Sequence, residues 1–197
     1  GSTEVTLKAL EMCDREGAFS ILVAGEGAEE HPAARFVLRT CPSEKVEPHT
    51  ASVTGAICAV TSLLSGIKVG EEWDALRSIG DPNLDALRER AGQGPTVIVG
   101  EWEGEWLARE AALKIMEMAR IPVRAYSSEE FFHGPRHIFD QDKDVLWHVS
   151  LYKDRRNTEL ADLGVANRVS TAGSSALAWV PALIELQWRA LAVALNR

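Results

Sequence analysis

Short apolar runs that alternate with helical segments limit most strongly what this chain can fold into. Two such runs, 19–24 and 35–40, lie in the first third of the sequence, and two more, 96–100 and 145–149, lie in the second half. A short apolar run bounded by turn residues is typical of a strand that is buried on both faces. Strands of this kind separated by helices favour a parallel sheet covered by helices, so we predict an α/β fold.

The remaining segments complete this pattern. Glycines at positions 17 and 66 follow two segments of helical periodicity, as expected at helix ends. The predicted helices span 6–15, 50–65, 84–91, 105–119 and 175–195, and further strands are predicted at 122–126 and 163–168.

The chain divides into two similar halves. Residues 67–94 are charged and contain Gly and Pro breakers, so we predict a connector there, between a first domain at 1–66 and a second at 95–197. The first half opens on a helix and lacks the strand, helix and strand that should precede it. A sheet with so few strands would expose an edge, so we expect the first half to be truncated and the chain to be part of something longer.

Charge and cysteine content exclude several classes of protein. The chain has 21 Lys and Arg residues against 29 Asp and Glu, a net charge of −8, which argues against nucleic-acid binding and against docking on anionic membranes. There is no apolar stretch of about 18 residues and no signal-peptide pattern at the start. The three cysteines lack metal-site spacing, so we predict reduced thiols in a cytoplasmic protein.

Three charged residues share one face of the predicted helix at 105–119. Glu110, Lys114 and Glu117 are spaced by four and three residues. From spacing alone, a solvated stripe with Glu–Lys support pairs is the favoured interpretation. The alternative is a carboxylate held beside a cation in a pocket, where its environment suits it to proton transfer.

A histidine before a Gly-Pro pair is the second candidate. His133 precedes Gly134 and Pro135, so we predict that it lies on a rigid loop, either as an ordinary structural residue or as a proton shuttle. His137 follows four residues later, but no third His or Cys is near, which argues against a metal site.

Taken together, these two elements resemble a known family. The stretch Glu-Ala-Ala-Leu-Lys-Ile-Met-Glu at 110–117, followed by Glu-Phe-Phe-His-Gly-Pro at 130–135, resembles the signature of sugar isomerase (SIS) domains and is similar to the isomerase half of glucosamine-6-phosphate synthase. The resemblance implies SIS-type doubly wound parallel sheets flanked by helices. It also implies that Glu117 moves the proton, that His133 opens the sugar ring, and that Glu110 and Lys114 tune Glu117. No metal and no organic cofactor is implied.

The resemblance extends to two possible phosphate-binding segments. Residues 1–7 resemble the end of the family's Ser-x-Ser-Gly-x-Thr loop, which implies that Ser2, Thr3 and Thr6 hold the sugar phosphate at a helix N-terminus, although residues 1–2 could also come from an expression tag. Residues 44–54 resemble the second binding loop and add three further candidates, namely Glu47, His49 and Thr50. In that loop a His and an Ala replace the family's Ser and Lys, and the second half has carboxylates and indoles at 100–105 instead of a phosphate loop.

The resemblance implies an aldose–ketose isomerase that acts on a hexose or aminohexose 6-phosphate, with the first half binding phosphate and the second half supplying the carboxylate. With an aminosugar phosphate as substrate, the same groups would also suit deamination or deglycation. Two alternatives remain: a non-catalytic regulatory module that binds a sugar phosphate, and a structural subunit of a hetero-complex. The C-terminal helix is apolar almost all round, so we expect a homodimer to cover it. In the family the His-Gly-Pro loop reaches into the neighbouring chain's site, which implies shared active sites.

Overall fold

The computed structural model describes residues 3–45, 47–66, 82–91, 96–150, 156–163, 167–170 and 177–197. The chain divides after Trp73 into two compact units. Within the described residues, no helix is long and apolar enough to cross a bilayer.

The first unit is built around two parallel strands. Its elements are α1 (Glu4–Arg15), β1 (Ile21–Glu26), β2 (Phe36–Pro42) and α2 (Ala51–Ser65). Ile21 pairs with Phe36 at the start of the sheet, and the buried core is small, with Leu10 and Leu22 among its members. A sheet of two strands covers little apolar surface, so the side chains of Phe19 and Leu64 stay exposed.

The second unit is a doubly wound parallel sheet with helices on both sides. Its elements are α3 (Leu84–Arg90), β3 (Thr96–Gly100), α4 (Glu103–Ala119), β4 (Arg124–Ser127), α5 (Ser128–His133), a 3₁₀ turn (Pro135–His137), β5 (Val145–Ser150), α6 (Arg156–Ala161), β6 (Asn167–Ser170) and α7 (Val180–Leu195). The strand order is β4-β3-β5-β6, and every neighbouring pair is parallel. From β3 the chain passes to β4 on one side and then to β5 and β6 on the other, as the SIS-type prediction requires.

The two faces of this sheet carry different helices. Side chains alternate between the faces of a strand, so Ile98 and Val99 of β3 point in opposite directions. Ile98 joins the core that α4 and α7 cover, whereas Val99 joins the core that contains Phe131 of α5 and Leu160 of α6. Groups on α4 and groups on α5 therefore lie on opposite faces of the sheet.

Two glycines allow α4 to begin directly against the sheet. A Cβ added to Gly100 would lie 2.1 Å from the carbonyl oxygen of Gly104, and one added to Gly104 would lie 2.6 Å from the carbonyl oxygen of Val149. No side chain fits in either gap. This close approach fixes where α4 starts and thereby where its charged face lies.

Helix α3 covers part of α7. Leu84 and Leu87 pack against the core to which α7 contributes, and α4 covers another side of α7. Arg88 Nε donates to Asn196 Oδ1 at 3.1 Å, and Asn196 Nδ2 donates to the Arg88 carbonyl at 2.6 Å. Helix α3 therefore supplies part of the second cover that we predicted for the C-terminal helix, and the homodimer stays a prediction.

Several local predictions change. His133 ends a short helix instead of lying on a loop, and the last predicted strand begins at Asn167 instead of position 163. Helix α6 was not predicted. Residues 67–81 and 92–95 of the predicted connector, Ser2, and residues 175–176 of the predicted last helix lie outside the described residues.

Candidate functional site

A buried ammonium group between two carboxylates forms the centre of the candidate site. Lys114 Nζ lies 2.8 Å from Glu117 Oε2 and 3.5 Å from Glu110 Oε1, and the Lys114 side chain is only 4% exposed. Helical spacing brings the three side chains to one face of α4. The solvated-stripe interpretation is therefore wrong, because the lysine at its centre does not reach solvent.

Glu110 is the unusual carboxylate of this group. Burial raises the pKa of Glu110 above its ordinary value, the nearby Lys114 ammonium counteracts that shift, and the Glu117 charge adds to it. Oε1 of Glu110 is buried and faces Lys114 Nζ at 3.5 Å, too far for a hydrogen bond of normal length. A buried carboxyl group with a raised pKa beside an ammonium group is suited to exchange a proton or to bind a hydroxyl group.

The two carboxylates remain accessible along one edge of α4. Trp106, Glu110, Leu113 and Glu117 form a row with spacings of four, three and four residues. Trp106 is 72% exposed and Leu113 is 42% exposed, so Glu110 lies between two uncovered apolar side chains and Glu117 follows the second of them. A ligand could reach Glu117 and Glu110 from this edge, with Lys114 beneath them.

His133 lies apart from this group within the chain. A capping box between Ser127 and Glu130 starts α5, and His133 is its last residue, with Nδ1 2.8 Å from the Glu129 carbonyl oxygen. The His133 side chain is exposed. Arg109 of α4 lies 3.6 Å from Glu130 of α5, but within the described residues no hydrogen bond or ion pair joins His133 to Glu117.

The predicted phosphate residues of α1 make no pocket. Thr3 and Thr6 are exposed on the first turn, and the Thr3 side chain makes no capping hydrogen bond. A cavity of about 720 Å³ does lie at the carboxyl ends of β1 and β2, but neither threonine lines it. Its lining includes His31, His49, Ser52, Glu26, Glu29, Glu30 and Glu44. Four carboxylates at one cavity disfavour a phosphate dianion, and the assignment of Thr3 and Thr6 stays a prediction.

Sequence reasoning missed the role of Glu44. Its carboxylate accepts hydrogen bonds from the backbone and hydroxyl groups of Thr50 and Ser52 and from the backbone of Ala51. Partial burial raises the pKa of Glu44, but these hydrogen bonds outweigh it and lower the pKa to about 2. Thr50 is thus engaged by Glu44. The sequence signal that could have predicted this role is an acidic residue a few positions before a helix whose first residues include Thr and Ser.

The other two residues of that loop are less constrained. Glu47 is exposed, and its Oε1 lies 3.8 Å from His49 Nε2. His49 lines the cavity of the first unit, whereas Glu47 does not. Among the residues that the structure describes, no three His, Cys, Asp or Glu side chains are arranged to hold a metal ion.

The carboxyl end of β3 carries a second buried acidic group. Glu101 Oε1 lies 3.7 Å from Nε2 of His148 on β5, and both side chains are almost fully buried. Neither atom has a hydrogen-bond partner. Sequence reasoning missed His148, because a single His within an apolar strand gives no pattern. A buried carboxylate at this point disfavours a phosphate dianion beside it.

Comparison with known proteins identifies the fold. No protein-family model and no curated protein sequence matches the chain. The C-terminal domain of glucosamine-fructose-6-phosphate aminotransferase from Francisella tularensis matches with a TM-score of 0.73 at 17% identity, over 98% of this chain and 68% of that one. Tagatose-6-phosphate ketose/aldose isomerase from Escherichia coli matches with a TM-score of 0.67 at 15% identity, over 98% of this chain and 65% of that one.

A third solved structure extends the set. Glucosamine-6-phosphate deaminase from Thermotoga maritima matches with a TM-score of 0.59 at 14% identity, over 91% of this chain and 70% of that one. At these identities the similarity is one of fold. The chain therefore has the parallel α/β SIS fold that is found in solved structures of phosphosugar isomerases.

Proposed function

We propose that the chain carries the proton-transfer carboxylates of a sugar-phosphate aldose–ketose isomerase that acts on a hexose or aminohexose 6-phosphate. The observation that carries this proposal is the Glu110–Lys114–Glu117 cluster, in which one buried ammonium group lies 2.8 Å from the Glu117 carboxylate and 3.5 Å from the Glu110 carboxylate. The shared fold supports it, because similar solved structures include an isomerase and a deaminase of 6-phosphorylated sugars.

The geometry suggests a role for each member of the cluster. Isomerisation moves a proton between adjacent carbons through an enediol or enolamine, so one base must take the proton and return it. Lys114 donates to Oε2 of Glu117, which leaves Oε1 of Glu117 to exchange that proton. Glu110, with its raised pKa and its partly exposed side chain, hydrogen-bonds a substrate hydroxyl group. This scheme uses no metal or organic cofactor.

Ring opening by His133 requires a second chain. Because α4 and α5 lie on opposite faces of the sheet, we propose a homodimer in which His133 of one chain serves the Glu117 of the other. Trp106, Leu113 and Met116 are exposed on one side of α4, beside the two carboxylates. A second copy would cover this apolar strip and bring its own His133 to the site.

A regulatory module that binds a sugar phosphate without turnover is the alternative. The same cluster could hold sugar hydroxyl groups, and the exposed His133 of an isolated chain would then have no catalytic task. Turnover separates the two proposals, because a sensor binds a sugar phosphate and leaves it unchanged.

The decisive experiment measures aldose–ketose conversion and thermal stabilisation with a panel of hexose and hexosamine 6-phosphates. For the sugar that is converted, we expect Glu117→Gln to lower kcat by about 10²- to 10⁴-fold, because the amide keeps the shape but removes the base. Stabilisation by the ligand should persist in this variant.

Glu105→Gln is the matched control, since Glu105 lies on the same helix and binds Arg109 at the surface. Near-normal turnover in Glu117→Gln would remove Glu117 from its role. Stabilisation of the unmodified chain without any conversion would instead support the regulatory alternative.

A further inference from the structure

A cavity in the second unit has no role in the chemistry described above. It has a volume of about 270 Å³ and lies at the amino ends of β3 and β4, where Thr96 and Arg124 begin the strands. Its lining includes Val97, Arg124, Tyr126, Phe131, Pro135 and Phe139. Val97 and Phe131 belong with the core on the α5 face of the sheet, so this cavity is separated from the Lys114 cluster by the sheet itself.

The walls of the cavity are aromatic. Phe131 is fully buried, and its ring centroid lies 6.4 Å from that of Tyr126 and 6.1 Å from that of Phe139. The rings are tilted or edge-on to one another, which is the geometry that aromatic pairs prefer. The volume lies just below the roughly 300–1,000 Å³ of sites for drug-sized ligands, so the cavity suits a compound of a single ring.

Two hydrogen-bond donors on β4 are available to a ligand in this cavity. Arg124 and Tyr126 are two residues apart on a strand and therefore point to the same face. Within the described part of the chain, neither the Arg124 guanidinium nor the Tyr126 hydroxyl group makes a hydrogen bond or an ion pair. Asp144, the acidic residue of the lining, already accepts the backbone N–H of Asp140 at 2.8 Å.

Among the described residues, Arg124 is the charged group of this lining that makes no hydrogen bond or ion pair, whereas Asp144 accepts one, so we expect the cavity to prefer an anion. A guanidinium group without a counter-ion and a phenol donor on the same face match the two oxygens of a carboxylate. The aromatic walls match a planar ring. We propose that this cavity binds a small aromatic carboxylate, with its ring against Phe131 and Phe139 and its carboxylate on Arg124 and Tyr126.

Calorimetric titration of the whole chain with benzoate, benzamide and benzylamine tests this proposal, because the three probes share a ring and differ in charge. Benzoate should bind most tightly and benzylamine least. Arg124→Gln should weaken benzoate binding by about tenfold or more, since a hydrogen-bonded charge is lost, and should leave benzamide binding almost unchanged. Tyr126→Phe should weaken benzoate binding by a smaller factor.

Arg136→Gln is the matched control, because Arg136 is exposed beside the cavity but does not line it. The proposal is overturned if benzoate does not bind saturably, if the three probes bind equally, or if Arg124→Gln binds benzoate as the unmodified chain does. Should Arg124→Gln not fold, Tyr126→Phe decides by the same criterion. Benzoate binding should be unchanged in Glu117→Gln, so the outcome is independent of the isomerase proposal.

Discussion

A buried ammonium group is stable only with carboxylates within reach, and Lys114 has two. Removing the charge from water costs several kcal/mol, which close ion pairs must offset. Glu117 provides the shorter contact with Lys114 and Glu110 the longer one. Because Glu110 is also the more deeply buried carboxylate, its ionised form is the least favourable part of the cluster.

The pH dependence of folding stability should show that the ionised form of Glu110 is unfavourable in the folded chain. A carboxyl group whose pKa is raised in the folded state adds stability below its unfolded pKa and loses that contribution as the pH rises towards the folded pKa. We therefore expect the unmodified chain to lose stability relative to Glu110→Gln as the pH rises from about 4.5, the ordinary value, through the raised pKa. Urea unfolding of both proteins from pH 4 to pH 8 measures this difference. Parallel curves would show that Glu110 has an ordinary environment.

At this scale the sequence predicted the cluster but not its burial. The spacing of Glu110, Lys114 and Glu117 placed them on one face, as the structure shows. However, apolar residues occur on more than one side of α4: Ile115 is buried, whereas Leu113 is exposed. Periodicity therefore could not decide which face meets the protein, since that depends on the packing of α7.

Among the elements, α2 depends on a carboxylate outside the helix. The first N–H groups of a helix have no partner within it. The Glu44 carboxylate accepts hydrogen bonds from the backbone N–H groups of Thr50, Ala51 and Ser52. It also accepts hydrogen bonds from the hydroxyl groups of Thr50 and Ser52.

Loss of the Glu44 charge should destabilise the first unit. Its pKa of about 2 lies below the ordinary 4.5, so its stabilisation is present above pH 4.5 and is lost as the pH falls towards 2. We expect Glu44→Gln to cost about 1–2 kcal/mol at pH 7, allowing for solvent screening, and to cost little near pH 2. Circular dichroism of urea unfolding at both pH values measures this. Glu47→Gln is the control, and an equal cost at both pH values would contradict the assignment.

The junction of β3 and α4 gives a second test at this scale. Gly100→Ala places a Cβ about where the Gly104 carbonyl oxygen stands, so backbone must move, and we expect a cost of about 3 kcal/mol in unfolding free energy. Gly134→Ala is the matched control, because a Cβ there meets nothing within 4 Å. A similar small effect for both variants would show that the junction is not tightly packed.

The sequence predicted most of the elements and missed those whose signals compete. The five helices and the strands at 96–100 and 145–149 were found with bounds that shift by a few residues. Helix α5 was missed because the Gly-Pro pair dominated the interpretation, although Ser127 and Glu130 carry the Ser-x-x-Glu pattern of a capping box. Helix α6 is only six residues long, too short for periodicity to show.

For the whole molecule, shared active sites make a specific prediction. Glu117→Gln and His133→Ala should each be inactive alone. After the two are mixed, unfolded together and refolded, random pairing should restore up to about one quarter of the unmodified activity, because half of the dimers carry one intact site. Activity of the mixture over time measures this.

Two outcomes would contradict the homodimer. Sites built within one chain would regain no activity on mixing. A monodisperse and active monomer at micromolar concentration, seen by light scattering, would exclude shared sites directly.

For the whole molecule, the sequence could not show which helices pack against each other. Arg88 and Asn196 are 108 positions apart, and nothing in local spacing pairs them. Helix α3 came from a segment that we interpreted as a connector, yet its leucines complete the core around α7. Long-range packing of this kind depends on the shape of both surfaces, which periodicity does not describe.

The reciprocal hydrogen bonds between Arg88 and Asn196 also affect how the second unit opens. The last turn of a helix usually frays, and its amide hydrogens exchange quickly with solvent. Here Asn196, which follows the last turn of α7, hydrogen-bonds both the side chain and the backbone carbonyl of Arg88 on α3. Fraying of α7 therefore has to break these hydrogen bonds to α3 as well, and we expect the two helices to exchange their amide hydrogens as one cooperative unit.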